Sequence, residues 1–254
     1  MKPVVVRNVA IGEGIPKICV PIVGKTIDEI LNQAKHICEI GADVVEWRVD
    51  WFEKVKNYES VENAAKQLRD ILGETPILFT FRTAKEGGER AIEPDEYVEL
   101  NEKIAKSGYV DLVDVEAFIG DTYVEKVVKT SHECGVKVIA SNHDFYKTPS
   151  KEDILQRLCK MQDMGADIPK IAVMPQSKKD VLTLLSATEE MTRCHATSPI
   201  ITMSMADTGV LSRLCGEVFG SSMTFAAANK ISAPGQMDVD DVNTVLTLLH
   251  NAIQ

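Results

Sequence analysis

Short runs of β-branched and apolar residues alternate with stretches of helical periodicity along nearly the whole chain. Eight of these runs predict strands, and each is followed by a segment in which apolar residues recur at helical spacing. Parallel strands joined by helical crossovers give this alternation. The predicted strands are residues 17–23, 42–50, 76–82, 109–117, 136–144, 169–176, 199–206 and 222–228.

The helical signal is clearest after the first strand. Thr26, followed three residues later by Glu29, is typical of a capping box at a helix start. Apolar residues within 27–38 then follow the i, i+3, i+4 spacing of one helix face. Gly41 is the expected C-cap. Two further helix starts are predicted by the pairs Ser150–Asp153 and Ser177–Asp180.

Eight strand–helix units predict an α/β protein, with residues 1–254 folded as a single (β/α)8 TIM barrel domain. Closing the sheet into a cylinder removes both of its edges. The alternative is an open doubly wound sheet, which is less favoured because no G-x-G-x-x-G follows any predicted strand. Residues 1–14 precede the first repeat and predict a β-hairpin that covers the bottom, N-terminal end of the barrel.

Composition and charge exclude several classes of protein. Hydrophobic residues make up 44% and charged residues 26% of the chain, as in ordinary globular proteins. A net charge of -10 lacks the basic footprint of a general nucleic-acid binder. The apolar runs are shorter than the ~18 residues of a membrane span, and the N-terminus lacks the apolar region of a signal peptide. Six cysteines without a C-x-x-C pair indicate reduced thiols, so we expect a cytoplasmic protein.

The second predicted strand carries an unusual set of charges. Glu46, Arg48 and Asp50 alternate with apolar residues, so the three share one face of the strand. Helices cover the outside of a barrel, and the charged face is therefore expected to point inward. Buried charges are costly unless they are paired or bind a ligand. A solvated edge strand of alternating polarity is the alternative.

Functional groups of a barrel gather at the C-terminal ends of its strands. Lys170 lies beside apolar residues on the sixth strand, where desolvation would lower its pKa and favour the neutral amine that forms a Schiff base. A lysine that reaches the rim or pairs with a carboxylate fits that position equally well. Of five histidines, His143 alone ends a predicted strand, which favours an acid–base role. Without a second histidine at ligand spacing, no metal site is expected.

Three loops at the same end of the barrel also attract attention. The loop after the third strand is longer than usual, and Glu86 in it is placed to reach over the barrel mouth, although a solvated carboxylate fits too. Arg213 is expected to begin a helix after the seventh strand, where it would hold a substrate carboxylate. The loop 230–237 combines rigid and flexible residues, as a lid over an active site does. No Gly-rich phosphate cradle follows the last two strands, which argues against a phosphorylated substrate.

Seven ordered blocks, spread over essentially the whole chain, match one known family. They are EWRVD at 46–50, FTFRTAKEGG at 79–88, SNHDF at 141–145, ADIPKIAVMPQ at 166–176, IITMSM at 200–205, SRLCGEVFGS at 212–221 and SAPGQ at 232–236. With these blocks the chain resembles the type I 3-dehydroquinate dehydratases, which act in the shikimate pathway of aromatic amino acid biosynthesis. Pro21 departs from part of that family, in which a serine at this place touches the substrate.

The resemblance implies a dehydration of 3-dehydroquinate to 3-dehydroshikimate that needs neither a metal nor a cofactor. Lys170 would form the Schiff base with the C3 ketone, His143 would act as general base and then general acid, and Glu86 would orient that histidine. The resemblance also implies a homodimer, and the acidic charge and short apolar runs given above predict no nucleic-acid or membrane partner. The implied substrate-binding residues are Glu46, Arg48, Arg82, Met203, Met205, Arg213, Phe225, Ser232 and Gln236.

The residues also allow two other functions. One is a different lysine-imine barrel enzyme, such as a class I aldolase acting on an unphosphorylated keto acid. The other is an inactive barrel that binds an acidic metabolite as a sensor. The sensor predicts the loss of at least one of Glu86, His143 and Lys170, yet all three are present.

Overall fold

The computed structural model describes residues 2–228 and 235–253, which form strands surrounded by helices. The strands are β1 Val4–Val6, β2 Val9–Ile11, β3 Lys17–Ile22, β4 Val44–Arg48, β5 Ile77–Thr80, β6 Leu112–Glu116, β7 Lys137–Asp144, β8 Ile168–Val173, β9 Ile201–Ser204 and β10 Met223–Phe225. The helices are α1 Ile27–Ile40, α2 Tyr58–Leu72, α3 Pro94–Ser107, α4 Asp121–Glu133, α5 Lys151–Asp163, α6 Lys178–Glu190, α7 Val210–Leu214, α8 Gly216–Phe219 and α9 Val239–Ile253. Short helical turns lie at Val49–Trp51, Ala84–Glu86, Met191–His195 and Asp207–Gly209.

Strands β3 to β10 form one parallel sheet in the order β10-β3-β4-β5-β6-β7-β8-β9. The two ends of this order meet, because Ile200 and Ser221 form a parallel bridge and Ser222 N donates to Ile200 O at 2.8 Å. All eight predicted strands are present, and each is shorter than its pattern predicts. The prediction of a (β/α)8 barrel is confirmed, and the open doubly wound sheet is excluded.

The three predicted capping residues Thr26, Ser150 and Ser177 do begin helices, with one difference in detail at the first. Thr26 Oγ1 accepts a hydrogen bond from Glu29 N at 3.3 Å, as a capping box requires. The Glu29 carboxylate, however, accepts from Lys25 N at 2.8 Å, one residue before the cap. Gly41 ends α1 with φ 82°, a backbone conformation that glycine adopts without strain.

The N-terminal residues form the predicted hairpin. Strands β1 and β2 pair antiparallel, with Val4 opposite Ile11, and Arg7 in the turn has φ 52°. Their buried side chains pack on the apolar residues that begin the barrel strands, among them Val44 and Leu112. The hairpin therefore covers the N-terminal end of the barrel and closes its interior on that side.

Side chains alternate between two packed layers along each barrel strand. On β4, Val45 and Trp47 join the core between sheet and helices, whereas Glu46 and Arg48 line a cavity at the other end of the barrel. The prediction that the charged face points inward is confirmed. Within residues 2–228 and 235–253, no helix is both long and apolar enough to cross a membrane.

Candidate active site

A cavity lies at the C-terminal ends of the barrel strands. Its lining residues lie on or after six of the eight barrel strands, β4, β5 and β7 to β10, because inward-facing side chains of these strands converge there. Eleven of the twelve residues that the sequence assigns to the site line this cavity, and the twelfth, Ser232, lies outside the described residues. The eleven are Glu46, Arg48, Arg82, Glu86, His143, Lys170, Met203, Met205, Arg213, Phe225 and Gln236.

Lys170 lies on β8 with only 3% of its surface exposed. Its Nζ is 3.4 Å from Asp114 Oδ2 and 4.0 Å from Glu46 Oε1. The same nitrogen lies 4.3 Å from the centroid of the Phe225 ring, within the range of a cation–π contact. Lys170 is thus sheltered from solvent, as its sequence neighbours suggested, but carboxylates from β4 and β6 face it from across the barrel.

His143 is held by a single carboxylate. Glu86 Oε2 accepts hydrogen bonds from the His143 backbone N at 2.9 Å and faces His143 Nδ1 at 2.9 Å. When Glu86 is ionised it can only accept hydrogen bonds, so in that state the proton of a neutral His143 lies on Nδ1 and Nε2 is able to accept one.

The loop that carries Glu86 folds back tightly over the end of β5. Gly87 has φ 81°, and a Cβ at Gly88 would lie only 1.9 Å from the Arg82 carbonyl oxygen. The two glycines therefore allow a turn that other residues would obstruct. As a result Glu86 is buried against β7, and the alternative of a solvated loop carboxylate is excluded.

The pKa values of this pair are displaced in opposite directions. Burial raises the pKa of Glu86 to about 7, although Arg82 opposes the shift. Burial lowers the pKa of His143 well below its usual value, and Arg82 and Lys170 lower it further. The imidazole is therefore neutral at pH 7, which is the form that removes a proton.

Two arginines predicted to touch the substrate also belong to a buried ionic network. Arg48 donates to both oxygens of Asp50, each at 2.8 Å. Arg82 donates to Asp114 at 2.8 Å and to Glu116 at 3.1 Å. Burial alone would raise the pKa of Asp114, but Arg82 and Lys170 outweigh it and the pKa lies below its usual value. Asp114 is therefore an anion that faces Lys170.

Sequence reasoning missed Asp114 and Glu116. On β6 the residues Leu112, Asp114 and Glu116 alternate just as the charged residues of β4 do, and this signal could have identified them. Both are buried, with 0% and 2% of their surfaces exposed. The interior of the barrel thus holds more carboxylates than the sequence analysis assigned to it.

Arg213 lies in the wall of the cavity, but it does not begin a helix as predicted. It is the fourth of five residues in α7, because the turn Asp207–Gly209 precedes that helix and continues into it. Arg213 Nη1 donates to Met203 Sδ at 3.5 Å. Burial lowers the pKa of Arg213 to about 10, so the guanidinium still carries its charge at neutral pH. A cation in a largely desolvated wall favours an anionic ligand.

The remaining wall is apolar on one side. Met203 on β9, Met205 directly after it and Phe225 at the end of β10 are at least 94% buried. Gln236 closes the rim, beyond the part of the predicted lid that is not described. In residues 2–228 and 235–253, no three His, Cys, Asp or Glu side chains are grouped so that they could hold a metal ion.

The fold and this site define a class of protein. It is a (β/α)8 barrel with a sheltered lysine, a histidine–glutamate pair and an arginine around one cavity, an arrangement typical of acid–base enzymes that act on small molecules. A family model described as Type I 3-dehydroquinase matches residues 18–253. The chain belongs to that family.

Several similar proteins are named as dehydratases of the same family. A 3-dehydroquinate dehydratase from Clostridioides difficile is 54% identical over 252 residues, covering 99% of both chains. Another, from Listeria monocytogenes, is 59% identical over 250 residues, covering 98% of this chain and 99% of the relative. A crystal structure of type I 3-dehydroquinate dehydratase from Clostridium difficile, with covalently modified comenic acid, has a TM-score of 0.97 at 55% identity and covers 99% of this chain and 100% of its own.

Proposed function

We propose that this protein is a dehydratase that converts 3-dehydroquinate to 3-dehydroshikimate through a Schiff base on Lys170. The observation that supports it best is the presence of Lys170 and the His143–Glu86 pair in one cavity. Membership of the type I 3-dehydroquinase family supports the substrate and the reaction.

The first step joins Lys170 to the substrate. The neutral amine attacks the C3 carbonyl carbon, and the resulting carbinolamine takes up a proton from solvent on its hydroxyl and loses water to form a protonated imine. Asp114 and Glu46 lie within 4.0 Å of Lys170 Nζ, so they are placed to stabilise the positive charge of that imine. The iminium group withdraws electrons from C2 and makes a proton there easier to remove.

The second step needs a base and then an acid. His143 Nε2 takes the C2 proton, and the electron pair left behind forms an enamine with the imine nitrogen. The enamine then expels the C1 hydroxyl, which leaves as water after His143 returns the proton. Glu86 holds the imidazole on Nδ1 throughout and stabilises the imidazolium that forms. Hydrolysis of the product imine regenerates the Lys170 amine.

The other residues that line the cavity are assigned to hold the substrate in the orientation that Lys170 and His143 need. Arg213 and Gln236 are assigned to the substrate carboxylate, and Met203, Met205 and Phe225 to the apolar faces of the ring. Glu46, Arg48 and Arg82 are assigned to ring hydroxyls and to the surrounding charges. Ser232 is assigned to the same group from the family resemblance alone.

Replacement of Arg213 tests the assignment of the carboxylate. In Arg213→Ala we expect KM for 3-dehydroquinate to rise by about 10- to 100-fold, the loss of one charged hydrogen bond, with a smaller change in kcat. Steady-state kinetics measures both. Arg193→Ala is the control, because Arg193 pairs with Glu189 on the surface and lies outside the cavity. An unchanged KM in Arg213→Ala means that another group binds the carboxylate.

The function itself is tested with purified protein and 3-dehydroquinate. Dehydration creates an enone that absorbs in the ultraviolet, whereas an aldolase would break a carbon–carbon bond and release two fragments. Borohydride added during turnover, followed by peptide mapping, identifies the residue that carries the imine. Folded protein that forms no enone, or an adduct on a residue other than Lys170, rejects the proposal.

We also propose a cytoplasmic homodimer. All six cysteines are free thiols, the state that the reducing cytoplasm maintains. The family resemblance supports the dimer. Analytical ultracentrifugation checks this, and a sedimentation mass equal to one chain at micromolar concentration contradicts it.

A further inference from the structure

The carboxylate oxygen of Glu86 that faces away from the imidazole belongs to a series of side-chain hydrogen bonds. Asn142 Nδ2 donates to Glu86 Oε1 at 3.1 Å, while Glu86 Oε2 serves His143. Arg157 Nη1, from α5, donates to Asn142 Oδ1 at 2.9 Å. A continuous path therefore runs from a helix on the outside of the barrel to the carboxylate that holds the proposed base.

The direction of the Asn142 amide is fixed by the chemistry of its neighbours. A guanidinium has only donors, so the atom of Asn142 that faces Arg157 must be the oxygen. The NH2 group then faces Glu86, as an ionised carboxylate requires. Without Arg157, the amide can turn by half a rotation when Glu86 is protonated and accept a hydrogen bond from that carboxyl, which stabilises the neutral form of Glu86.

Arg157 is itself held rigidly. Its Nε and Nη2 donate to the two oxygens of Asp153 at 3.0 and 2.8 Å, a fork that leaves Nη1 directed at Asn142. Asp144 Oδ2 lies 3.9 Å from the same Nη1. Bidentate pairing of this kind restricts the guanidinium to one orientation.

On the basis of the proposed function, we infer that Arg157 is a positioning residue for the general base, acting through Asn142 to keep Glu86 ionised and aligned on His143. The charged and polar groups that face Glu86 are Arg82 just after β5, Glu116 from β6, and Asn142 and His143 from β7. Arg82 and the donors of β7 favour the ionised form, while burial and Glu116 oppose it. Because the pKa of Glu86 is about 7, the loss of one hydrogen-bond donor changes the fraction of Glu86 that is ionised near neutral pH.

The expected effect is a change in the pH profile. Activity needs ionised Glu86, so it falls as the pH drops below the pKa of that carboxyl. Loss of the Asn142 donor raises this pKa and moves the acidic limb of the kcat profile to higher pH. In Arg157→Met we expect a move of about one pH unit, so that kcat at pH 6 falls about tenfold and kcat at pH 8.5 changes less than twofold. KM stays within twofold, because Asn142 and Arg157 lie outside the set that lines the Lys170 cavity.

Two further variants show whether Arg157 acts through Asn142. Arg157→Lys keeps a donor and is expected to restore part of the profile. Asn142→Asp has the same shape but places a negative charge beside Glu86, so the acidic limb moves further in the same direction. If the path is real, adding Arg157→Met to Asn142→Ala moves the limb no further than Asn142→Ala alone.

Lys160→Met is the matched control. Lys160 lies one turn along α5, forms an ion pair with Asp121 at 2.7 Å and, like Arg157, lies over the Phe118 ring. No hydrogen bond joins Lys160 to Asn142, whose side chain bonds Glu86 and Arg157, so the pH profile of Lys160→Met should coincide with that of the wild type. An acidic limb of Arg157→Met that stays in place, an equal loss at every pH, or additive shifts in the double variant overturns the inference. If the wild type itself makes no enone, the proposed function fails instead, so the two failures are distinct.

Discussion

Lys170→Ala is expected to lose turnover of 3-dehydroquinate by about 10⁴- to 10⁶-fold while still binding it. The loss is this large because the amine is the nucleophile, and among residues 2–228 and 235–253 no other lysine lines the cavity to form the imine that activates C2. Binding persists because Arg213, Gln236 and the apolar wall remain in place. Steady-state kinetics and calorimetric titration with 3-dehydroquinate measure the two effects separately.

The fold should survive this replacement. Arg82 also binds Asp114, at 2.8 Å, so that buried carboxylate keeps a cationic partner when Lys170 is removed. Lys137→Ala is the control, since Lys137 begins β7 at the opposite end of the barrel and pairs with Asp167. Borohydride should trap substrate on the control and on the wild type, but not on Lys170→Ala. A trapped adduct or near-normal turnover in Lys170→Ala would refute the imine mechanism.

The barrel could be predicted because its signals are local. Each strand and helix shows its own periodicity, and glycines such as Gly41 mark where helices end. Period-two alternation was also enough to place Glu46 and Arg48 inside the barrel. These predictions depend on spacing within one segment, which the sequence shows directly.

The surroundings of Lys170 could not be obtained in this way. Its sequence neighbours are apolar, and they suggested a lysine in an apolar environment. Its nearest charged groups, Glu46 and Asp114, come from strands more than fifty residues away, and their approach depends on the curvature and stagger of the closed sheet. Only three-dimensional packing shows that the lysine faces two carboxylates.

Arg213 and Asn142 show two further features that could not be predicted from the sequence. Arg213 was placed at a helix start because the turn before α7 has no distinct signal, although the side chain itself reaches the cavity. Asn142 lies within a block that resembles the family, yet no spacing rule connects it with Arg157 fifteen residues later on α5. Long-range hydrogen bonds between polar side chains have no periodic signature.

His143→Ala separates imine formation from proton transfer. We expect kcat to fall by about 10²- to 10⁴-fold, the usual contribution of a general acid–base group, because no base remains to remove the C2 proton or protonate the departing hydroxyl. Imine formation on Lys170 should continue, so the substrate imine accumulates ahead of the slow proton transfer. Borohydride therefore still traps an adduct, and that adduct is mostly substrate. Intact mass spectrometry after a rapid quench tells substrate from product adducts, since they differ by one water. His132→Ala is the control, because His132 binds Asp167 away from the cavity. Normal turnover in His143→Ala, or an adduct that is mostly product, shows that a different group performs the elimination.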